Sequence, residues 1–103
     1  MADPMRIRAA LNGELVEVKV LMRHDMETGL RKDSSGAVVP IHHIKTLVAK
    51  CNGRVVLDAL FGPSVAKDPY LSFKFKGGAK GDKIEVTWID TKGDTRTDSA
   101  AVA

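Results

Sequence analysis

The sequence predicts an all-β domain, an immunoglobulin-like antiparallel β-sandwich of about seven strands. Three observations carry that reading. Apolar residues recur at every second position in several short stretches; turn pairs built on glycine, asparagine or proline separate those stretches; and none of them commits to a helical period. A chain of 103 residues and 11.1 kDa makes one domain, spanning 1–103. It should bury roughly 65% of the surface it exposes when unfolded, enough for a core without metal or disulfide support. The single cysteine, Cys51, excludes an internal disulfide and therefore a true antibody-type domain. A small barrel is the alternative architecture.

The elements follow in order. Met5 to Leu11 and Glu14 to Met22 flank Asn12-Gly13, a strong short hairpin signal, read here as a type I′ turn. Val16, Val18, Val20 and Met22 mark one face of the second arm. From Arg23 to Pro40 the alternation stops, and a connection of this length is usually functional or disordered unless a short bridge folds it. Ile41 to Lys50 fits a helical stripe at Ile41, Ile44, Leu47 and Val48, but it starts after a proline and ends at Asn52-Gly53. That turn leads into the Val- and Leu-rich Arg54 to Phe61, which decides for a strand and a second hairpin. Gly62-Pro63 ends this pair. Tyr70 to Lys76 and Lys83 to Asp90 then alternate strictly and hold two of the three Phe, the only Trp and the only Tyr. With Gly77, Gly78 and Gly81 between them they are expected to close as an aromatic hairpin around a flexible loop. Thr95 to Val102 supplies a last, weaker strand.

Composition narrows the function classes. Apolar residues at 44% and charged ones at 28% suit a soluble globular chain. No run has the roughly 18 apolar residues of a membrane helix. MADPMRIR carries charges where a secretory leader has its apolar segment, so no export signal of its own is read here. The net charge of +3 comes from 16 Lys and Arg scattered among 13 acids. That is a mixed solvated surface rather than a nucleic-acid footprint. A nucleic-acid-binding β module using Lys74, Lys76, Lys80 and Lys83 around Tyr70 is the rival reading, but such platforms need several stacking aromatics.

Catalytic chemistry finds little support. His42 and His43, adjacent on a strand, face opposite sides and cannot share one ion. A metal would need His24 with Asp25, Glu27 or Asp33, acids that lack calcium-loop spacing, and there is no His-x-His or Cys-x-x-Cys pair. The histidines are read as surface or core residues, and no metal or cofactor is expected. Gly77 to Asp82 is followed by a strand rather than the helix a phosphate cradle uses. Cys51 is read as a small buried residue, with an intermolecular disulfide as the other option. These readings describe a binding module rather than an enzyme.

The run His24-Asp25-Met26-Glu27-Thr28-Gly29-Leu30-Arg31-Lys32-Asp33, followed by Gly36 and Pro40, resembles the H-x-M-E-[ST]-G-x-R-x-D…G…P signature of the SoxZ family. Asn52-Gly53, Asp68-Pro69-Tyr70, the Gly81-Asp82 step and Trp88 fit the same family, over almost the whole chain. Members often carry Asn where Asp68 stands. The resemblance implies an immunoglobulin-like domain that forms a heterodimer with SoxY, whose C-terminal arm carries sulfur on a cysteine between thiosulfate-oxidising enzymes. The chain lacks a Gly-Gly-Cys-Gly-Gly tail and so resembles the non-carrying subunit, periplasmic and exported with its signal-bearing partner.

Two partner surfaces follow as expectations. The Ile41–Lys50 strand, apolar on both faces, would give Ile41, Ile44 and Leu47 to SoxY, or to self-association when the chain is alone. Met26, Glu27 and Arg31 would meet SoxY or, transiently, other Sox enzymes, Met by adapting and Arg by gripping a carboxylate. The alternative for the second set is a structural turn anchored by Arg31 and Asp33.

Overall fold

The computed structural model describes residues 3–62 and 65–103, so Pro63 lies outside the described residues. Seven strands form in chain order: β1 Arg6–Asn12, β2 Leu15–Leu21, β3 Ile44–Cys51, β4 Arg54–Leu60, β5 Tyr70–Lys76, β6 Lys83–Asp90 and β7 Thr95–Ala101. All the pairings between them are antiparallel. They make a three-stranded sheet in the order β1-β2-β5 and a four-stranded sheet in the order β4-β3-β6-β7. No helix occurs among the described residues. The all-β sandwich is thus the fold that alternation predicts, with strand ends displaced by a few residues at most.

Alternation decides which side chains enter the core. Val16, Val18 and Val20 of β2 point inward and are fully buried. They face Ile44, Leu47 and Ala49 of β3 and Ile84, Val86 and Trp88 of β6, all at most 1% exposed. Trp88 is the largest of these, which makes it the main packing centre. One side of the sandwich is closed by the C-terminus. Val102 bridges Ala9 in parallel, the Ala103 amide donates to the Ala9 carbonyl at 2.8 Å, and the Leu11 amide donates to the Ala103 carbonyl at 3.0 Å.

Two local expectations change. The aromatic segments do not form a hairpin: β5 pairs with β2, whereas β6 lies between β3 and β7. Gly77–Asp82 crosses from one sheet to the other, so Phe75 and Trp88 belong to opposite layers of the core. Alternation fixes the face a residue presents but not the strand beside it. Gly78 sits where this crossing is tightest, for an added Cβ would lie 2.5 Å from Val16 Cγ2 and 3.1 Å from Phe75 Cε2.

The turn after β1 is Gly13-Glu14, because Asn12 already pairs with Leu15. Only Gly13 has positive φ, at +65°, which suits a type II′ rather than a type I′ turn. Asn52-Gly53, with φ of +49° and +87°, is the turn with positive φ at both positions.

The ambiguous segment is a strand from Ile44 to Cys51, and its helical spacing has a physical cause. Pairing with β6 skips Lys45, since Ile44 opposes Asp90 and Thr46 opposes Ile89. This bulge puts Ile44 and Leu47, three apart, on the same inward face. A second shift opposite Ala49–Lys50 gives β4 its mixed pattern.

Candidate functional site

The inward row of β6 ends in a charge: Ile84, Val86 and Trp88 are followed by Asp90, 0% exposed. A buried carboxylate is costly unless its lone pairs are filled. Here four N–H groups fill them. Asp90 Oδ1 accepts the Lys92 and Asp94 amides, each at 2.9 Å, which shapes the turn into β7. Oδ2 accepts His24 Nε2 at 3.0 Å and His42 Nε2 at 2.8 Å. Burial pushes the Asp90 carboxyl up, but these hydrogen bonds from His24, His42, Asp94 and Lys92 outweigh it and hold the group below its ordinary value. The two imidazoles meet edge to face with centroids 4.5 Å apart, and His24 meets Trp88 in the same way at 5.2 Å. Trp88 Nε1 is buried and has no hydrogen-bond partner among the described residues.

His24 reaches Asp90 because it continues the inward row of β2, after Val20 and Met22. Its backbone is clamped to Asp68: the His24 amide donates to Asp68 Oδ1 at 3.0 Å and the Asp68 amide donates to the His24 carbonyl at 2.9 Å. Asp68 takes φ of +53°, a conformation in which Asp and Asn are enriched among non-glycine residues. That explains how an aspartate serves at this strand start.

His24, His42 and Asp90 place three ligand-type atoms within 4.8 Å of one another. The tautomer of His24 argues against a cation there. Its Nδ1 accepts the Met26 amide at 3.1 Å, so the proton of the neutral ring resides on Nε2 and is donated to Asp90. A metal at Nε2 would move that proton to Nδ1, against the Met26 N–H. A ligating histidine usually donates from its second nitrogen rather than accepting there. The cluster is a hydrogen-bonded latch joining β6, the start of the 23–43 connection and its end.

That connection is folded by two bridges, Glu27 with His42 and Lys32 with Val38. Met26 is 5% exposed at φ of +54°, and its Sδ accepts the Ile44 amide at 3.4 Å. It is therefore a core residue and not an adaptable surface contact. Glu27 and Arg31 grip each other: Nε donates to Oε2 at 3.0 Å and Nη2 to Oε1 at 2.7 Å. This pairing lowers the Glu27 carboxyl and raises the Arg31 guanidinium, and it occupies the fork that was expected to hold a partner. Asp33 Oδ1 accepts the Ser35 and Ala37 amides and the Ser35 hydroxyl, closing the tip. Gly29 fits because its φ is +85° and a Cβ would meet Ile41 Cβ at 3.3 Å. The structural reading of this motif is the one the contacts support.

The proposed SoxY strand changes too. Ile44 and Leu47 are 0% exposed in the chain's own core, and Ile41 lies outside β3, half exposed. The outward side of β3 presents Thr46, Val48 and Lys50. In register across the sheet, Leu60, Thr46, Ile89 and Thr95 form one row, and Asp58, Val48, Thr87 and Thr97 form the next. The Thr87 and Thr97 hydroxyls bond at 2.8 Å.

Cys51 is buried, with its Sγ–H donating to Asp82 Oδ2 at 3.6 Å; burial, then that carboxylate, push the thiol up. An intermolecular disulfide would need the strand end to open. The glycine loop makes fixed hydrogen bonds: Ala79 N–H donates to Asp82 Oδ2 and Lys83 N–H to Asn52 Oδ1. Lys74, Lys76 and Tyr70 share the outer face of β5, but Lys83 belongs to the other sheet, so the four lysines of the nucleic-acid reading do not form one platform.

Sequence reasoning missed Asp90, although the signal was present. Counting by two from Ile84 makes Asp90 the fourth inward residue, and counting by two from Val16 reaches His24.

These observations define an immunoglobulin-like β-sandwich in which a buried carboxylate is satisfied by donors of the same chain. The profile of the family described as "Sulphur oxidation protein SoxZ" matches residues 5–101, and the chain belongs to that family, as a subunit of sulfur oxidation that works with a protein partner. No curated protein sequence matches it. Among solved structures it is similar to hypothetical protein PH1083 from Pyrococcus horikoshii OT3, at 19% identity over 99% of this chain and 89% of that one, with a TM-score of 0.66. It is also similar to superoxide reductase (neelaredoxin) from Archaeoglobus fulgidus in the reduced form, at 21% identity over 97% and 87%, with a TM-score of 0.61. At these identities the likeness is one of fold.

Proposed function

We propose that this chain is the non-catalytic subunit of a periplasmic SoxYZ carrier complex. It binds SoxY and leaves that partner's cysteine-bearing arm free to visit the Sox enzymes, after export bound to SoxY. One observation carries the reading: the outer face of the four-stranded sheet is nearly neutral and rich in β-branched residues. Val48, Thr46, Thr87 and Thr97 occupy its middle, with Ile89 43%, Val55 54% and Leu60 84% exposed around them. Its charges, Lys50 and Lys83 against Asp58 and Glu85, cancel, and the two rows through Thr46 and Val48 hold a single charge, in keeping with the low charge of an interface core. A chain with this face, and with the Asp90 carboxylate satisfied by its own donors, suits holding a partner better than performing a reaction.

The test is co-expression with SoxY from the same source, followed by affinity measurement on Val48→Asp and Ile89→Asp. Both sites are on the outer face, so the free chain keeps its fold, checked by circular dichroism. The expected result is a one-to-one complex weakened at least tenfold by either change, about 1.4 kcal/mol. Absence of a wild-type complex overturns the pairing, and unchanged affinity in folded variants overturns this face as the contact.

A further inference from the structure

The outer face of the three-stranded sheet has a different chemistry. Its outward positions are Arg6, Arg8, Ala10 and Asn12 on β1, Leu15, Glu17, Lys19 and Leu21 on β2, and Tyr70, Ser72, Lys74 and Lys76 on β5. Five cations and one carboxylate share this face in a chain whose net charge is only +3. The single acid, Glu17, lies 3.7 Å from Lys19 and stands in register with Lys74, so the rows of Arg6, Arg8 and Lys76 hold no acid.

The arrangement also works against stability. Register places Arg8 directly opposite Lys19, both exposed. Like charges in that relation destabilise a sheet. Beside them, Arg6, Leu21 and Tyr70 form one row across the three strands, with Leu21 37% and Tyr70 58% exposed. Tyrosine and arginine next to an exposed leucine are the residue types that anchor protein interfaces.

We infer that this face is an electrostatic docking surface for an acidic protein, separate from the face proposed for SoxY. The inference rests on the carrier reading, in which the visiting partner is an oxidising enzyme that must come and go. A cationic face raises the encounter rate with an acidic partner without making the complex long-lived. A single-stranded nucleic acid fits less well, because Tyr70 is the one aromatic on this face while Phe73 and Phe75 belong to the inward row. The two sheets thus divide the work, the neutral face for a lasting partner and the charged face for a transient one.

The experiment uses the purified complex with SoxY as the varied carrier in thiosulfate oxidation by the reconstituted Sox enzymes of the same source. Arg8→Glu with Lys76→Glu removes the excess charge of the face. The second-order rate constant at low salt is expected to fall about tenfold, its dependence on ionic strength to flatten, and the maximal rate to persist. Arg8→Glu alone is expected to raise the melting temperature of the free chain while slowing docking, opposite signs that a merely structural role would not produce. The neutral double variant Arg8→Gln/Lys76→Gln should give an intermediate rate constant. An unchanged rate constant and salt slope, with the SoxY complex intact, overturn the docking surface and leave the carrier reading standing. So does charge-dependent binding to an oligothymidylate or to phosphatidylglycerol vesicles without any effect on enzyme rates. Failure of the wild-type chain to pair with SoxY overturns both.

Discussion

Replacing Asp90 by Asn tests the latch most directly. The carboxylate is 0% exposed and accepts four hydrogen bonds, two from imidazoles and two from amides. An amide of the same shape offers one acceptor and one donor, so whichever way it turns, an NH2 group faces N–H donors. His42 can relieve this by changing tautomer. His24 cannot, because its Nδ1 already accepts the Met26 amide. At least one charge-assisted hydrogen bond is lost with its donor left buried, so Asp90→Asn should cost about 3 kcal/mol at pH 7. The pH dependence has a definite sign. The folded-state carboxyl lies below its ordinary value, so its contribution is present above that ordinary value and is lost as pH falls through the lower, folded one. Urea unfolding of wild type and variant at pH 7 and at pH 3 measures both effects. The gap between them should be wide at pH 7 and narrower at pH 3. A variant as stable as wild type at pH 7, or a gap that does not change with pH, would refute the reasoning.

Two further outcomes follow from the same geometry. Excess zinc should leave the melting temperature of the chain unchanged, because His24 Nε2 carries a proton held in place by the Met26 amide; a rise that grows with zinc concentration would show that the tautomer argument fails. Gly78→Ala should lower stability by about 1–3 kcal/mol, since its Cβ would press on Val16 Cγ2 and the Phe75 ring, whereas Gly36→Ala, which meets no neighbour and carries only the strain of its positive φ, should cost less by the same urea measurement.

Much of the site is legible in the chain. The period of two that identifies β2 and β6 as strands also assigns His24 and Asp90 to their inward rows, and a carboxylate in such a row demands donors. Which donors it finds was not legible. His42 lies 48 residues from Asp90, and only the folding of the 23–43 connection through Glu27–His42 brings its ring within 2.8 Å. The Met26-Glu27 run, read as a partner contact, is better explained by what it binds within the chain.

By itself the sequence determined the strands, their turns and the face each side chain presents, because these depend on backbone geometry that spans only a few residues. It also determined family membership, through the H-x-M-E-T-G-x-R-x-D run and its accompanying turns. Tertiary structure alone decided that β5 and β6 belong to different sheets, that a bulge at Lys45 turns Ile44 and Leu47 inward, and that two outer faces differ in charge. Strand neighbours are chosen by the packing of the whole core, where burial of Trp88 and the β2 valines outweighs the local preference of a glycine-rich link to close a hairpin.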